Sequence, residues 1–275
     1  MFYVKKILLS SLLAIAVSQQ AMSDQIELQW NGYAKQGGLL IGKTLPKTKI
    51  FINKKPISVS TQGDFLIGFG RDEKNSLKIQ ATFPNGGKYF QTIKVKKRKY
   101  KIQRINNLPK RKVTPNKKDL DRIYKEYALS RKARKINALR TDYKTGFIWP
   151  VKGRISGVYG SQRILNGKPK RPHFGVDVAV PTGTGVVAPA DGIVTMTHSN
   201  MFFSGGTLIL DHGQGLSSSF LHLSKIVVKK GDVIKQGMKI AEVGATGRVT
   251  GPHLDWRMNL FKRQIDPQLL VEPMK

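Results

Sequence analysis

The chain has 275 residues, 40% of them hydrophobic and 24% charged. That balance excludes a disordered or membrane-embedded protein and leaves room for two modest domains. The formal net charge of +31 creates a field that draws polyanions, and the lack of cysteine excludes disulfides and thiol lipidation.

Residues 1–23 predict a cleaved secretory signal. Lys5 and Lys6 form the positive start, Ile7 to Val17 a short apolar run, and Ala21-Met22-Ser23 a small-residue cleavage site. The run is shorter than the roughly 20 residues a spanning helix needs, and no later segment reads as transmembrane. The expectation is a protein exported across the inner membrane to the periplasm or cell envelope. Residues 24–150 hold 30 Lys and Arg against 9 Asp and Glu, whereas residues 151–275 hold 16 against 8. In that location the basic N-terminal half suits anionic envelope polymers or lipid headgroups. No basic-aromatic interleaving points to nucleic acid.

Residues 24–105 predict a small β-sandwich. IELQW, KIFIN, DFLIGF, SLKIQATF and KYFQTIKV read as strands, separated by turns at Asn53-Lys54, Gln62-Gly63-Asp64 and Pro84-Asn85-Gly86-Gly87. This half holds no histidine or acid cluster, so a binding or positioning role is expected of it. Residues 106–146 read as a basic linker with a helix. The Lys- and Arg-rich stretch 94–118, with Pro109 and Pro115, reads as exposed chain. A helix is predicted from about Lys118 to Leu139, with Leu120, Ile123, Tyr124, Tyr127 and Ala128 as an apolar stripe packed on one of the domains.

Residues 147–270 predict a second, mostly β domain, which contains all five histidines. In HFGVDVAV, alternation puts Phe174, Val176, Val178 and Val180 on one face. His173, Gly175 and Asp177 then share the other, and Gly175 leaves room for something to approach. In SSSFLHLS, Phe220, His222 and Ser224 share a face opposite Leu221 and Leu223. In GPHLDW, His253 and Asp255 share a face opposite Leu254 and Trp256. Three strands thus deliver metal-capable side chains above apolar faces. His212, at a strand end before a glycine-rich turn, and His198 read as non-catalytic, and Asp211 as a turn cap.

Residues 148–268 resemble the lysostaphin-type zinc metallopeptidases of family M23. The resemblance rests on GRISGVYGSQR, PHFGVDVAVPTGTGVVAPADGIV, GGTLILDHGQGLSSSFLHLS and VKKGDVIKQGMKIAEVGATGRVTGPHLDW, in that order. It implies an antiparallel sheet with a narrow groove, one Zn²⁺ held by His173, Asp177 and Asp255, and proton handling by His222 and His253. It also implies peptidoglycan as the substrate and cross-link endopeptidase activity, with a D,D-endopeptidase of Gram-negative envelopes the expected type. The chain departs from the family's H-x-H at Asp255. A carboxylate oxygen binds zinc at about 2.0–2.2 Å, close to the histidine distance. Two carboxylates, however, cancel the ion's +2 charge, weaken it as a Lewis acid and relax the preference for zinc over manganese or iron. Phe220 stands where a tyrosine is frequent. The family's groove-lining tyrosine has no counterpart, which leaves Arg163 as a candidate for transition-state stabilisation.

The alternatives are a catalytically inactive M23-like activator of cell-wall amidases or envelope-binding protein, and a biotinyl- or lipoyl-type carrier. Retention of four of the five site positions argues against the first. Against the second, APADGIVTMT and VKKGDVIKQGMKIAEVG flank no exposed-lysine hairpin.

Overall fold

The computed structural model describes residues 28–274. The signal segment, residues 1–23, lies outside the described residues. Among the described residues no helix is long and apolar enough to cross a membrane.

The N-terminal half forms two antiparallel sheets. One orders Gln29–Gly32, Leu39–Lys43 and Asp64–Gly68; the other orders Lys55–Ile57, Lys49–Ile52, Ser76–Thr82 and Lys88–Lys94. Leu40, Phe65 and Ile67 of the first interdigitate with Ile50, Ile52, Leu77, Ile79, Ala81 and Ile93 of the second. Ser76–Thr82 alternates buried and accessible residues, as a strand with one wet face does. Asp64–Gly68 is buried at every position, and its sequence DFLIG gives the reason: both faces are dry. Leu39 and Leu66 point away from the sandwich into the core of the C-terminal half. Burying a leucine in this way contributes about 1.5–3 kcal/mol.

The C-terminal half is built on a ten-stranded sheet. Its main path runs Val233–Ile234, Gly192–Met201, Gly205–Asp211, Leu216–Ile226, Leu254–Leu260, Val176–Ala179 and Arg154–Gly157, antiparallel throughout. One face carries Val176, Val178, Leu208, Leu210, Phe220, Leu254, Trp256 and Met258, all buried.

Three sequence expectations change. The stretch expected to be exposed chain contains strand Ile102–Ile105, which pairs in parallel with Gln162–Leu165. The helix runs Lys117–Ala133, capped by the Asn116 side chain on the Asp119 amide. It ends before Leu139 because tertiary bonds hold the following residues: Gln214 N–H donates to Ala138 O at 2.6 Å, and Arg140 pairs with Asp211 at 2.7 Å. Asp211 thus adds an ion pair with Arg140 to its hydrogen bond with the Gly213 backbone in the turn. Finally, the helix packs on the C-terminal sheet, as expected, but through Ala133 against Met196, Met201 and Ile209 rather than through its apolar stripe. Leu120, Tyr124 and Tyr127 are exposed, and Leu120, Ile123 and Tyr127 line a groove over the C-terminal sheet.

Candidate metal centre and groove

Asp177 and Asp255 stand directly opposite each other on neighbouring strands, in a register that also pairs Val176 with Trp256. A strand rises about 3.3 Å per residue, so residues 173 and 177 of one straight strand would lie about 13 Å apart. The strand here starts only at Val176, and the chain bends before it, bringing His173 back over Asp177. His173 Nε2 lies 3.2 Å from Asp177 Oδ1 and 3.4 Å from Asp255 Oδ1. Gly175 permits this approach: a Cβ there would sit 2.5 Å from Asp255 Oδ1. The bend also takes Phe174 off the valine face. It lines the groove and meets Tyr159 edge-on.

His222 reaches the site by a different route from the one alternation predicts. Phe220 and Leu223 both point into the core, although they are three residues apart. The period of two must break between them, and His222 breaks it with a left-handed backbone, φ +66°. Its amide donates to Ser204 O. Leu221 turns to the groove side, opposite Asp255. A non-glycine residue held at positive φ stores strain of a kind concentrated at functional sites.

The two further histidines share a tautomer. His222 Nδ1 lies 2.8 Å from Thr246 O, and His253 Nδ1 lies 2.9 Å from Gly251 O. A carbonyl only accepts, so each Nδ1 carries a proton, and in the neutral ring the lone pair is then on Nε2. The rings lie 4.8 Å apart, centroid to centroid, and His253 Nε2 is 3.8 Å from Asp177 Oδ1. Burial pushes the His222 imidazole down to about 4, so it is neutral at pH 7.

Each carboxylate is also held by an arginine. Arg163 NH2 donates to Asp177 Oδ2 at 2.8 Å. Arg257 NH2 donates to Asp255 Oδ2 at 2.5 Å, and its Nε lies 3.0 Å from Oδ1. Burial opposes the charge on Asp255, but Arg257 and His173 outweigh it and hold the carboxyl well below the usual range. Burial likewise disfavours a charged His173, and Asp177 and Asp255 outweigh it, raising the imidazole above its ordinary value. The two arginines balance the two carboxylates. A divalent cation arriving here therefore meets two compensated carboxylates, not a bare dianion.

His173, Asp177 and Asp255 offer one nitrogen and two oxygens within 4.8 Å of one another. This donor set suits one divalent cation. His173 Nδ1 is sealed from water without a partner, and His173 Nε2 and Asp177 Oδ1, though 3.2 Å apart, are sealed without a well-aligned hydrogen bond. Buried polar atoms are rarely left so, and a metal would satisfy Nε2 and Oδ1.

The sequence model of peptidase family M23 matches residues 171–267, a span that contains all five candidate residues. A crystal structure of an M23 peptidase from Pseudomonas aeruginosa superposes with a TM-score of 0.67 at 30% identity, covering 86% of this chain and 94% of that one. The chain belongs to peptidase family M23. The peptidoglycan DD-endopeptidase ShyA of Vibrio cholerae is 29% identical over 216 residues, 76% of this chain and 46% of that protein. An uncharacterized metalloprotease of Haemophilus influenzae is 32% identical over 211 residues, 77% of this chain and 37% of that protein. The chain thus spans less than half the length of these curated relatives.

The remaining histidines of the M23 half lie away from the triad. His212 is fully buried, with Nδ1 2.6 Å from Asp191 O and Nε2 2.7 Å from Ser218 Oγ. His198 Nδ1 accepts from the Asn200 amide. Sequence reasoning missed Arg257, which alternation could have supplied, since it follows His253 and Asp255 on the same face. It also missed Arg134 and Arg248, which line the same groove and carry no local signal.

Proposed function

We propose that this M23 protein is an endopeptidase that hydrolyses peptide cross-links of peptidoglycan in the cell envelope, as a D,D-endopeptidase. One observation carries the reading: His173 Nε2 and the Oδ1 atoms of Asp177 and Asp255 converge, while His222 and His253 keep Nε2 free beside them. The name of ShyA supports the substrate class. A zinc ion would be held by His173, Asp177 and Asp255, and when bound it supplies Lewis acidity for the scissile carbonyl and the attacking water.

The chain's own residues do the rest. Thr246 O and Gly251 O fix the Nδ1–H of His222 and His253, so each Nε2 can accept a proton. One of them takes the proton of the attacking water and returns it to the leaving amine. Arg163 and Arg257 orient the two carboxylates and offset their charge. The Lys117–Ala133 helix supplies one side of the groove with Leu120, Ile123 and Tyr127. Export by the residue 1–23 signal is part of this proposal, as is docking of the basic N-terminal half on anionic envelope polymers or lipid headgroups.

The test is to incubate the protein with purified sacculi and a supplied divalent metal, then separate the muropeptides. Cross-linked dimers should fall as monomers rise. Unchanged dimers under metal-replete conditions would end the peptidase reading.

A further inference from the structure

The groove encloses about 500 Å³ and is lined by five arginines: Arg134, Arg163, Arg171, Arg248 and Arg257. Two of them are committed, Arg163 to Asp177 and Arg257 to Asp255. The other three make no ion pair among the described residues; Arg171 is exposed, whereas Arg134 and Arg248 are partly buried. Arg134 spends NH2 on Ser219 Oγ at 3.2 Å, and its Nε is sealed from water without a partner. Arg248 makes a long bond, NH1 to Lys112 O at 3.3 Å, and lies over the Phe203 ring at 4.4 Å from the centroid.

Both are placed beside other cations. Ser219, which holds Arg134, pairs in register with Arg257. Burial and the charge of Arg257 pull Arg134 down to about 10; burial, Arg163 and Arg257 do the same to Arg248. A desolvated guanidinium with no counter-anion is costly. The bonds to Ser219 and Lys112 could come from a neutral donor, so the hydrogen bonding at these two places does not call for the charge. A guanidinium's planar fork is, however, suited to a carboxylate.

We propose that Arg134 and Arg248 form an anion subsite of the groove that receives a free carboxylate of the peptide being cut. This rests on the peptidase reading above and narrows its substrate. In a D-alanyl–diaminopimelate cross-link, the carbon bearing the scissile amide nitrogen also bears a free carboxylate. A glycine bridge offers no such group beside its scissile bond. The two arginines therefore select cross-links of the first chemistry and make the groove a poor host for the second.

The experiment compares two synthetic cross-linked peptides that differ only in that carboxylate, free in one and converted to the carboxamide in the other. With the metal-loaded full chain, kcat/KM should favour the free carboxylate by roughly tenfold or more, the scale of a charge-assisted pair. In Arg134→Gln and Arg248→Gln the ratio should fall towards one, while Arg134→Lys should keep part of it. Calorimetry of both peptides with metal-free wild-type protein should show the same preference in Kd. Wild-type protein that cuts both peptides equally overturns the subsite and leaves the peptidase reading intact. Wild-type protein that cuts neither overturns the peptidase reading, and the calorimetric ratio then decides the subsite by itself, with equal Kd values rejecting it. The wild-type comparisons do not depend on any variant folding.

Discussion

Ser218 and His222 lie four residues apart on one strand, and the histidines near them are treated in opposite ways. His212, against Ser218, has both ring nitrogens bonded, to Asp191 O and Ser218 Oγ. His222 has only Nδ1 bonded, as does His253. The carboxylates divide in the same way. Asp64, buried where the two halves meet, has Oδ1 held by Lys43 and Lys144 and Oδ2 by Ser60. Asp177, equally buried, has Oδ1 without a well-aligned hydrogen bond, with only His173 Nε2 and His253 Nε2 facing it at 3.2 and 3.8 Å. Burial alone does not mark a site, since His212, His222, Asp64 and Asp177 are all buried. What separates them is whether the fold has used every lone pair. Where it has, the polar group fixes structure; where one atom per group is left over and several such atoms converge, the remaining partner must come from outside.

The largest test of this contrast is His253→Ala. It removes a free Nε2 without touching the core and should lower cleavage of cross-linked peptide by about 10²–10⁴-fold. Muropeptide chromatography reads the loss, and an unchanged melting temperature separates it from unfolding. Retained cleavage would move the chemistry elsewhere.

The closed histidine makes the converse prediction. Burial pushes His212 from 6.5 down to about 4, so the unfolded chain binds the extra proton between those values. Stability from this group is complete above about pH 6.5 and is lost as pH falls towards 4, by on the order of 3 kcal/mol. Denaturant unfolding at pH 7 and pH 4.5 measures it, and His212→Gln should flatten that part of the slope.

Asp255→His sharpens the contrast from the metal side. It restores the family's usual residue but strips Arg257 of its anion and leaves a guanidinium facing the cation. Metal affinity should fall by about 10–100-fold, and adding Arg257→Gln should recover it. Competition titration with a metal-binding dye reads both steps. Smallest is Asp64→Asn, which should cost about 1–2 kcal/mol in chemical unfolding and leave cleavage per folded molecule unchanged.

Much of this was legible in the sequence, and the failures have physical causes. The mainly β fold follows from short alternating runs, and the strand faces of GPHLDW were read correctly because that strand is regular. The same rule misplaced Leu221 because it carries no information about a left-handed residue at His222. Phe174 was assigned to the valine face because the bend before Val176 comes from the approach of Asp255 past Gly175, a tertiary event. The amphipathic pattern of the Lys117–Ala133 helix was real. Its apolar stripe faces the groove rather than a core, and a periodicity does not say what lies opposite. Arg134 and Arg248 had no signal at all: among 48 Lys and Arg, nothing local distinguishes the two that end up desolvated.

The outward face of the Leu39–Lys43 and Asp64–Gly68 strands has a consequence for how the chain is made. Leu39 and Leu66 close onto a core completed by Leu260 and Ile265, and strand Ile102–Ile105 waits for Gln162–Leu165. During synthesis the N-terminal half therefore emerges with one apolar face uncovered for some two hundred residues of chain growth. The sandwich then acquires its last layer only when the final strands arrive. A fragment cut between the halves would keep the sandwich's own core but carry Leu39 and Leu66 on a bare apolar face.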